Sequence, residues 1–453
     1  MSVDRSRLPV PGQPPPYRLP AIERSALPNG LRVWTIAHTA IPVATVILLI
    51  RRGASDDPVG KEGLAALTVD MLDEGTGALS AIEIHEALAR VGAQLDADIG
   101  PDAALLTLTV LSRFMTPAVS LLADIAVRPA LREEDFTRVR QLRLHRLTQL
   151  RDVPGAVADR AFMRLLYGAH PYGHTPLGGD ASLRGLTIDD VRQFHGSNIR
   201  PGDATLVVVG DCSHAGVVQA ASDAFGGWTP TDPRPQPAAS PLPQAPRLNV
   251  IARSGAPQSE LRIGHVAVSR STPDYHALVV ANMALGGQFV SRINLNLREE
   301  KGFTYGARTS FDFRRLPGPF TLQVSVQTAA TVEAIHESLD EIAAIRGSRP
   351  ITAEELAMGV SALTRGYARN FETAEQLARA ATQLALYDLP DNYFDDFVPR
   401  VMQVTLDDLR RVTQQYLDPG RLTTLIVGDY GTVAADLPKL AMGMPNILAP
   451  DTF

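Results

Sequence analysis

Two residues seven positions apart, Arg298 and Tyr305, stand in the segment "LGGQFVSRINLNLREEKGFTYGARTSF", 285–311. A guanidinium presents fixed N–H donors to a carbonyl oxygen. A phenol can donate its O–H to an oxyanion that develops during attack on that carbonyl. The local pattern places both. Residues 291–301 read as a helix, with Lys301 in its last turn and Gly302 suited to a left-handed cap. From Phe303 the apolar period switches to two, so Phe303, Tyr305, Ala307, Thr309, Phe311 and Phe313 share one face of a strand. Arg298 then lies near the end of a helix and Tyr305 near the start of a strand. On spacing alone, Arg298 reads as a solvated helix residue and Tyr305 as a core residue of the strand. Gly286 and Gly287 read as a tight turn, and their lack of a side chain also suits close approach of a substrate backbone.

Other candidates are weaker. His170 and His174 in "YGAHPYGHTPLGG" are spaced i, i+4, but Pro171 and the glycines make the segment a loop, so the pair does not share a helix face. The single cysteine, Cys212, excludes an intrachain disulfide and a Cys-rich zinc site. It follows the strand-like run "TLVVVGD" and reads as an inert small residue.

The elements around these residues are those of a mixed protein. The 453 residues are 45% hydrophobic and 20% charged, with net charge −6. This suits a globular chain of two or more domains and gives no basic stripe for nucleic acid or an anionic membrane. No run of 18 apolar residues exists to span a bilayer. The N-terminal "MSVDRSRLPVPGQPPPYRLP" reads as a Pro-rich arm without a signal-peptide core. The expected compartment is the cytoplasm, or the periplasm if a leader has been removed. An Asn-Gly turn precedes a strand in "LPNGLRVWTI". "IPVATVILLIRRG" is a long strand, Ser80 with Glu83 forms a capping box, "AQLDADIG" and "AALLTLTVLS" form a hairpin, and 133–151 is a long helix. Hairpins and helices segregate, which points to α+β.

The chain also repeats itself. "LTIDDVRQFHGSNIRPGDATLVVVGD" from Leu186 matches "VTLDDLRRVTQQYLDPGRLTTLIVGD" from Val404, with Asp189, Pro201 and Asp211 opposite Asp407, Pro419 and Asp429 at a constant offset of 218. Thr187 and Thr405 each cap a helix with two Asp in its first turn. A repeat this long means duplicated domains. The expected division is an arm over 1–21, a domain over 22–230, a Pro-rich linker over 231–246, a second domain over 247–440 and a tail over 441–453.

The order strand, "RRGAS", "KEGLAALTVDMLDEGT", capped helix, "VGAQLDADIG" resembles the inverzincin peptidases, the mitochondrial processing peptidase and pitrilysin/insulinase group. Their corresponding segment runs approximately G-L-A-H-F-L-E-H-M-L-F-K-G-T. On that frame the two zinc-binding histidines fall on Ala66 and Asp70, and the catalytic Glu on Val69. Such a helix needs two His at i and i+4 to hold zinc and the Glu to take a proton from its water. The further carboxylate ligand of the group falls near "RLHRLTQLRDVP", where His145 and Arg146 stand. The metal half is therefore degenerate at every ligand position.

The second half keeps its pattern. Gly286, Gly287, Ser291, Arg292, Leu297, Arg298, Glu299, Gly302 and Tyr305 match the group's L-G-G-G-x-x-S-R-L-x-x-x-L-R-E-x-x-G-L-x-Y. The resemblance covers roughly 25 to 435. It implies two similar domains of the processing-peptidase (LuxS/MPP-like metallohydrolase) fold forming half of a clamshell chamber. It further implies a heterodimer in which a homologous subunit carries H-x-x-E-H and the zinc. This chain, with no cofactor of its own, would give Arg298 and Tyr305 to hydrolysis of an extended oligopeptide. The alternative is an inert scaffold or peptide-holding protein of the same fold.

Overall fold

A computed structural model of the chain describes residues 12, 16–229, 240–241 and 247–449. Most of the expected arm, nearly all of the expected linker and the end of the tail lie outside the described residues.

The β-branched, apolar runs form strands and the capped amphipathic runs form helices, in an order that occurs twice. The first half runs β1 (Glu23–Ala26), β2 (Arg32–Ala37), β3 (Val43–Ile50), α1 (Leu64–Asp70), α2 (Ala81–Arg90), β4 (Leu95–Ile99), β5 (Ala104–Leu111), α3 (Met115–Val127), α4 (Glu133–Arg151), α5 (Pro154–Tyr167), α6 (Asp180–Gly185), α7 (Ile188–Asn198), β6 (Ala204–Gly210) and α8 (His214–Phe225). The second runs β7 (Leu248–Ala252), β8 (Gln258–Val266), α9 (Tyr275–Leu285), α10 (Arg292–Asn294), β9 (Ala307–Phe311), β10 (Pro319–Gln327), α11 (Thr331–Arg346), α12 (Ala353–Thr364), α13 (Ala374–Tyr387), α14 (Tyr393–Met402), α15 (Leu406–Tyr416), β11 (Thr423–Gly428), α16 (Tyr430–Val433) and β12 (Asn446–Leu448).

Each half builds one six-stranded mixed sheet, in the orders β1-β2-β6-β3-β5-β4 and β12-β7-β11-β8-β10-β9. Five strands correspond in order, and the edge strands differ: β1 opens its half and runs antiparallel to β2, whereas β12 closes the other and runs parallel to β7. β2 pairs parallel to β6, and β7 parallel to β11. The repeated 26-residue segments are α7 to β6 and α15 to β11, and Thr187 and Thr405 cap their helices with full capping boxes.

Alternate residues of the central strands face different cores, as the two-residue period requires. Ala44, Val46, Leu48 and Ile50 of β3 pack with α3 and α8, whereas Ile47 and Leu49 face the other way. What covers that second face comes from the far half of the chain. Leu377, Ala378, Ala381 and Leu384 of α13 pack on Ile47, Leu49, Val207 and Val209 of the first sheet. The exchange is mutual: Val157, Ala158, Ala161 and Phe162 of α5 pack on Ile251, Val266, Leu425 and Val427 of the second sheet. α5 and α13 occupy equivalent places in the two halves, so each sheet is closed by its counterpart's helix.

Polar contacts pin the same junction. Asp102, in the β4–β5 turn, accepts from the Tyr172 hydroxyl and, at 2.9 Å, from the backbone N–H of Arg315 in the β9–β10 turn. The Leu316 N–H donates to the Tyr172 oxygen at 3.2 Å. Tyr172 is fully buried, and burial with the Asp102 charge pushes its hydroxyl well above the ordinary tyrosine range. The His-Pro-Tyr loop is thus a structural bolt.

The exchange predicts that the halves unfold together. Phe162→Ala, at a site with no exposure, is expected to cost about 3–5 kcal/mol through lost burial and a cavity. It should lower the midpoint of a single transition reported by probes in both sheets. Two separate transitions, with only one shifted, would contradict the mutual closure.

Candidate functional site

The degenerate helix α1 begins at Gly63, whose φ of 97° is left-handed and whose Cβ, if present, would lie 2.9 Å from Gly178 Cα. The fully buried side chain of Asp57 starts the helix, accepting from Gly63 N at 2.7 Å and Ala65 N at 2.6 Å. His174 orients that carboxylate. Its Nε2 lies 3.0 Å from Asp57 Oδ2 and 2.9 Å from Ala54 O, two acceptors, so this nitrogen carries the hydrogen. His170 instead accepts from Tyr172 N at its Nδ1, at 3.0 Å. The two histidines serve different turns and share no site.

Ala66 and Val69 are buried apolar residues of α1. They offer a metal neither a lone pair nor a base. Asp70 is partly exposed and bonds to Nη1 of Arg143, whose Nη2 donates to Pro176 O at 2.7 Å. A cation already sits on the one carboxylate among the three positions 66, 69 and 70. Among the described residues no group of three or more His, Cys, Asp or Glu side chains could hold a metal ion. The residues present therefore do not fit zinc.

The residue that α4 sends to α1 is Arg143, and this corrects the placing of His145 and Arg146. Both of those are exposed, with His145 Nε2 2.9 Å from Gln141 on the same helix. The cause is helical phase: Leu144 and Leu147 face inward, Arg143 lies beside them, and 145 and 146 rotate to solvent. The inward spacing of Phe136, Val139, Leu144 and Leu147 is the sequence signal that assigns this phase.

In the second half the predicted helix over 291–301 exists, but it changes pitch. α10 gives way to a π-helical turn over Leu295–Glu300, which carries Arg298, and Gly302 takes the left-handed cap at φ 67°. π turns inside helices recur at functional sites. The Arg298 guanidinium carbon stands 3.8 Å above the Phe289 ring, and Nη1 lies 2.9 Å from Glu299. Phe289 itself is largely exposed. A cation over an aromatic face is held at low entropic cost, and Nη1 is itself buried.

Tyr305 departs from the strand reading. The strand starts at Ala307, two residues later, and Tyr305 is 94% exposed. Residues 303–306 form a loop in which Thr304 bonds Gly306 through both its backbone groups, at 3.0 and 3.1 Å. This local turn chemistry interrupts the period of two. Tyr305 is therefore no core residue, and its phenol faces solvent.

Two asparagines that sequence reasoning missed fix this loop. Asn294, 4% exposed, accepts from Ala307 N at 2.8 Å and donates to Ala307 O at 2.8 Å. Asn282 donates to Thr309 O at 3.1 Å and accepts from its hydroxyl at 2.8 Å. Together they tie β9 to α9 and α10. Gly286 and Gly287 are needed for the same packing. Cβ atoms there would stand 2.5 Å from Thr309 Oγ1 and 2.7 Å from Asn282 Nδ2. Close packing explains both glycines without a ligand.

Cys212 is half-buried, and burial with the charges of Asp211 and Glu23 pushes its thiol up to about 11. It stays protonated at neutral pH and is a poor nucleophile.

These contacts predict opposite stability effects within one segment. Tyr305→Ala should change stability by no more than about 0.5 kcal/mol, as exposed positions do. Asn294→Ala leaves both backbone groups of Ala307 unpaired and should cost about 2–3 kcal/mol. Thermal unfolding of the two variants checks this, and a larger loss for Tyr305→Ala would mean the residue packs after all.

Comparison with known proteins agrees with this architecture. The family model described as "Insulinase (Peptidase family M16)" matches residues 32–178, and that described as "Peptidase M16 inactive domain" matches 185–363. An uncharacterized zinc protease of Mycobacterium tuberculosis is 24% identical over 417 residues, covering 91% of this chain and 94% of that one. An uncharacterized zinc protease of Streptomyces coelicolor is 25% identical, covering 90% of this chain and 89% of that one. A probable mitochondrial-processing peptidase subunit beta of Schizosaccharomyces pombe is 25% identical over 59% of each chain. A crystal structure described as a peptidase M16 inactive domain from Pseudomonas fluorescens has the same fold, with a TM-score of 0.85 at 23% identity over 90% of this chain and 98% of that one. With the two family models standing in order along a duplicated two-sheet fold, the chain belongs to the insulinase-like peptidase family M16.

Proposed function

We propose that this chain is the non-metal-binding subunit of a two-chain zinc peptidase. It carries no cofactor of its own and gives Arg298 and Tyr305 to a site completed by a homologous subunit with intact H-x-x-E-H. The observation that carries this reading is the contrast between the two halves. In the first, Ala66, Val69 and the Asp70–Arg143 pair fill the place of a metal centre. In the second, a tyrosine 94% exposed stands on a loop anchored by buried Asn294, after an arginine propped on Phe289. An anchored loop that holds a phenol away from its own protein suits a ligand or partner outside it.

Arg298 can donate to a carbonyl of a bound oligopeptide and hold it in register. Tyr305 can donate its O–H to the oxygen on which negative charge develops. The second reading, an inert scaffold of the same fold, draws on the Asp70–Arg143 ion pair, which makes α1 a structural helix.

The two readings separate in a reconstituted pair with the zinc chain untouched. Tyr305→Phe should lower turnover on the order of 100-fold, the usual cost of a lost oxyanion donor. Arg298→Ala should mainly raise KM, because a carbonyl contact acts on substrate and transition state alike. Turnover within about twofold for Tyr305→Phe in an intact complex would leave the scaffold. The isolated chain should also retain no stoichiometric zinc after dialysis and cleave no peptide. Elemental analysis with a chelator control tests that, and bound zinc with chelator-sensitive cleavage would end the proposal.

A further inference from the structure

A cavity of about 300 Å³ opens in the first half, between the last turns of α4, one face of α5 and the segment over 173–182 that leads into α6. None of its walls comes from the Arg298–Tyr305 segment, and nothing in the proposed peptidase role uses it. Its volume is that of a small-ligand pocket.

Its chemistry is cationic. Arg151 comes from the end of α4, and Arg160 and Arg164 come from α5. The latter two are spaced i, i+4 and so stand one above the other on a single face. Two carboxylates, Glu62 and Asp180, are the acidic residues of the lining. Asp180 is engaged by Arg184 at 2.7 Å and lies 3.6 Å from Arg151. The walls are rigid: His174 is fixed by Asp57 and Ala54, and the Ser182 hydroxyl donates to Glu62 O at 2.8 Å. Burial, and then the charge of Arg151, pull the Arg160 guanidinium below its usual range. The lining thus carries three guanidiniums against two carboxylates, with Arg151 already beside Asp180. Arg160 and the exposed Arg164, one turn apart on α5, leave an excess of positive charge on that wall, which suits an anion.

We propose that this cavity binds an oxyanion, with Arg160 and Arg164 as paired donors and Arg151 as the third charge. Guanidinium groups hold carboxylate and phosphate by the same paired N–H geometry. The group is either free in solution or the carboxylate end of a short peptide. The site is independent of the peptidase reading and survives its failure.

Isothermal titration of the full chain in low salt tests the site with three probes: inorganic phosphate, acetyl-Ala-Ala with a free carboxylate, and the same dipeptide as its amide. One of the two anions should bind once per chain, and the amide should not. Phosphate binding alone identifies a free-anion site, and dipeptide binding identifies a carboxyl-terminus site. The Arg160→Gln/Arg164→Gln double variant should weaken binding at least about tenfold, as loss of paired charged donors does. Arg164→Gln alone, at an exposed position that leaves folding intact, should weaken it severalfold. The proposal is overturned if neither anion binds at about 10 mM, far above the range of functional sites. It is equally overturned if binding persists unchanged in the folded Arg164→Gln and double variants, or if the amide binds as well as the acid.

Discussion

The exchange of α5 and α13 between the two sheets is the contact on which the rest of the structure depends. Each sheet has two apolar faces, because central strands such as β3, β6 and β11 are buried along nearly their whole length. The helices of its own half cover one face. The other would stand in water, and burying even a single leucine or isoleucine there is worth about 1.5–3 kcal/mol. α13 covers Ile47, Leu49, Val207 and Val209, and α5 covers Ile251, Val266, Leu425 and Val427. Neither sheet is complete without the far half of the chain. The two copies therefore close each other, bolted by Tyr172 and Asp102 at the turns.

On that shared frame the two halves differ in detail. In the first half, the positions 66, 69 and 70 are core and an ion pair. Ala66 and Val69 pack, and Asp70 takes Arg143 from α4. That ion pair joins α1 to α4. In the second half, the close packing of Gly286 and Gly287 on Thr309 and Asn282, and the pairing of Asn294 with Ala307, hold a loop that has no packing role for its own tyrosine. Buried polar pairs of this kind cost little when every group is satisfied, and they fix geometry more sharply than apolar contacts do.

Much of the site's neighbourhood was legible because it obeys local rules. The capping boxes at Ser80, Thr187 and Thr405, the left-handed Gly302 and the Asn-Gly turn before β2 all depend on residues within a few positions of one another. Two readings failed where a local rule met a competing local bond or an uncertain phase. The period of two from Phe303 was broken by Thr304 bonding Gly306, which put Tyr305 in solvent. The placing of His145 and Arg146 beside α1 missed helical phase: Arg143, two residues before His145, is the one that meets Asp70.

By itself the sequence determined that the chain is α+β, that it is duplicated at an offset of 218, that its first half lacks the residues a zinc helix requires, and that its second half keeps an Arg and a Tyr seven apart. Those properties reside in residue type and spacing, which a chain carries before it folds. Tertiary structure alone decided which helix closes which sheet, that Arg143 meets Asp70, that Tyr305 is presented instead of buried, and that three arginines surround one cavity. Periodicity reports that a face is apolar and will be covered. It does not say by what, because the partner is chosen by shape and reach across some two hundred residues of chain, and only the assembled core fixes that choice.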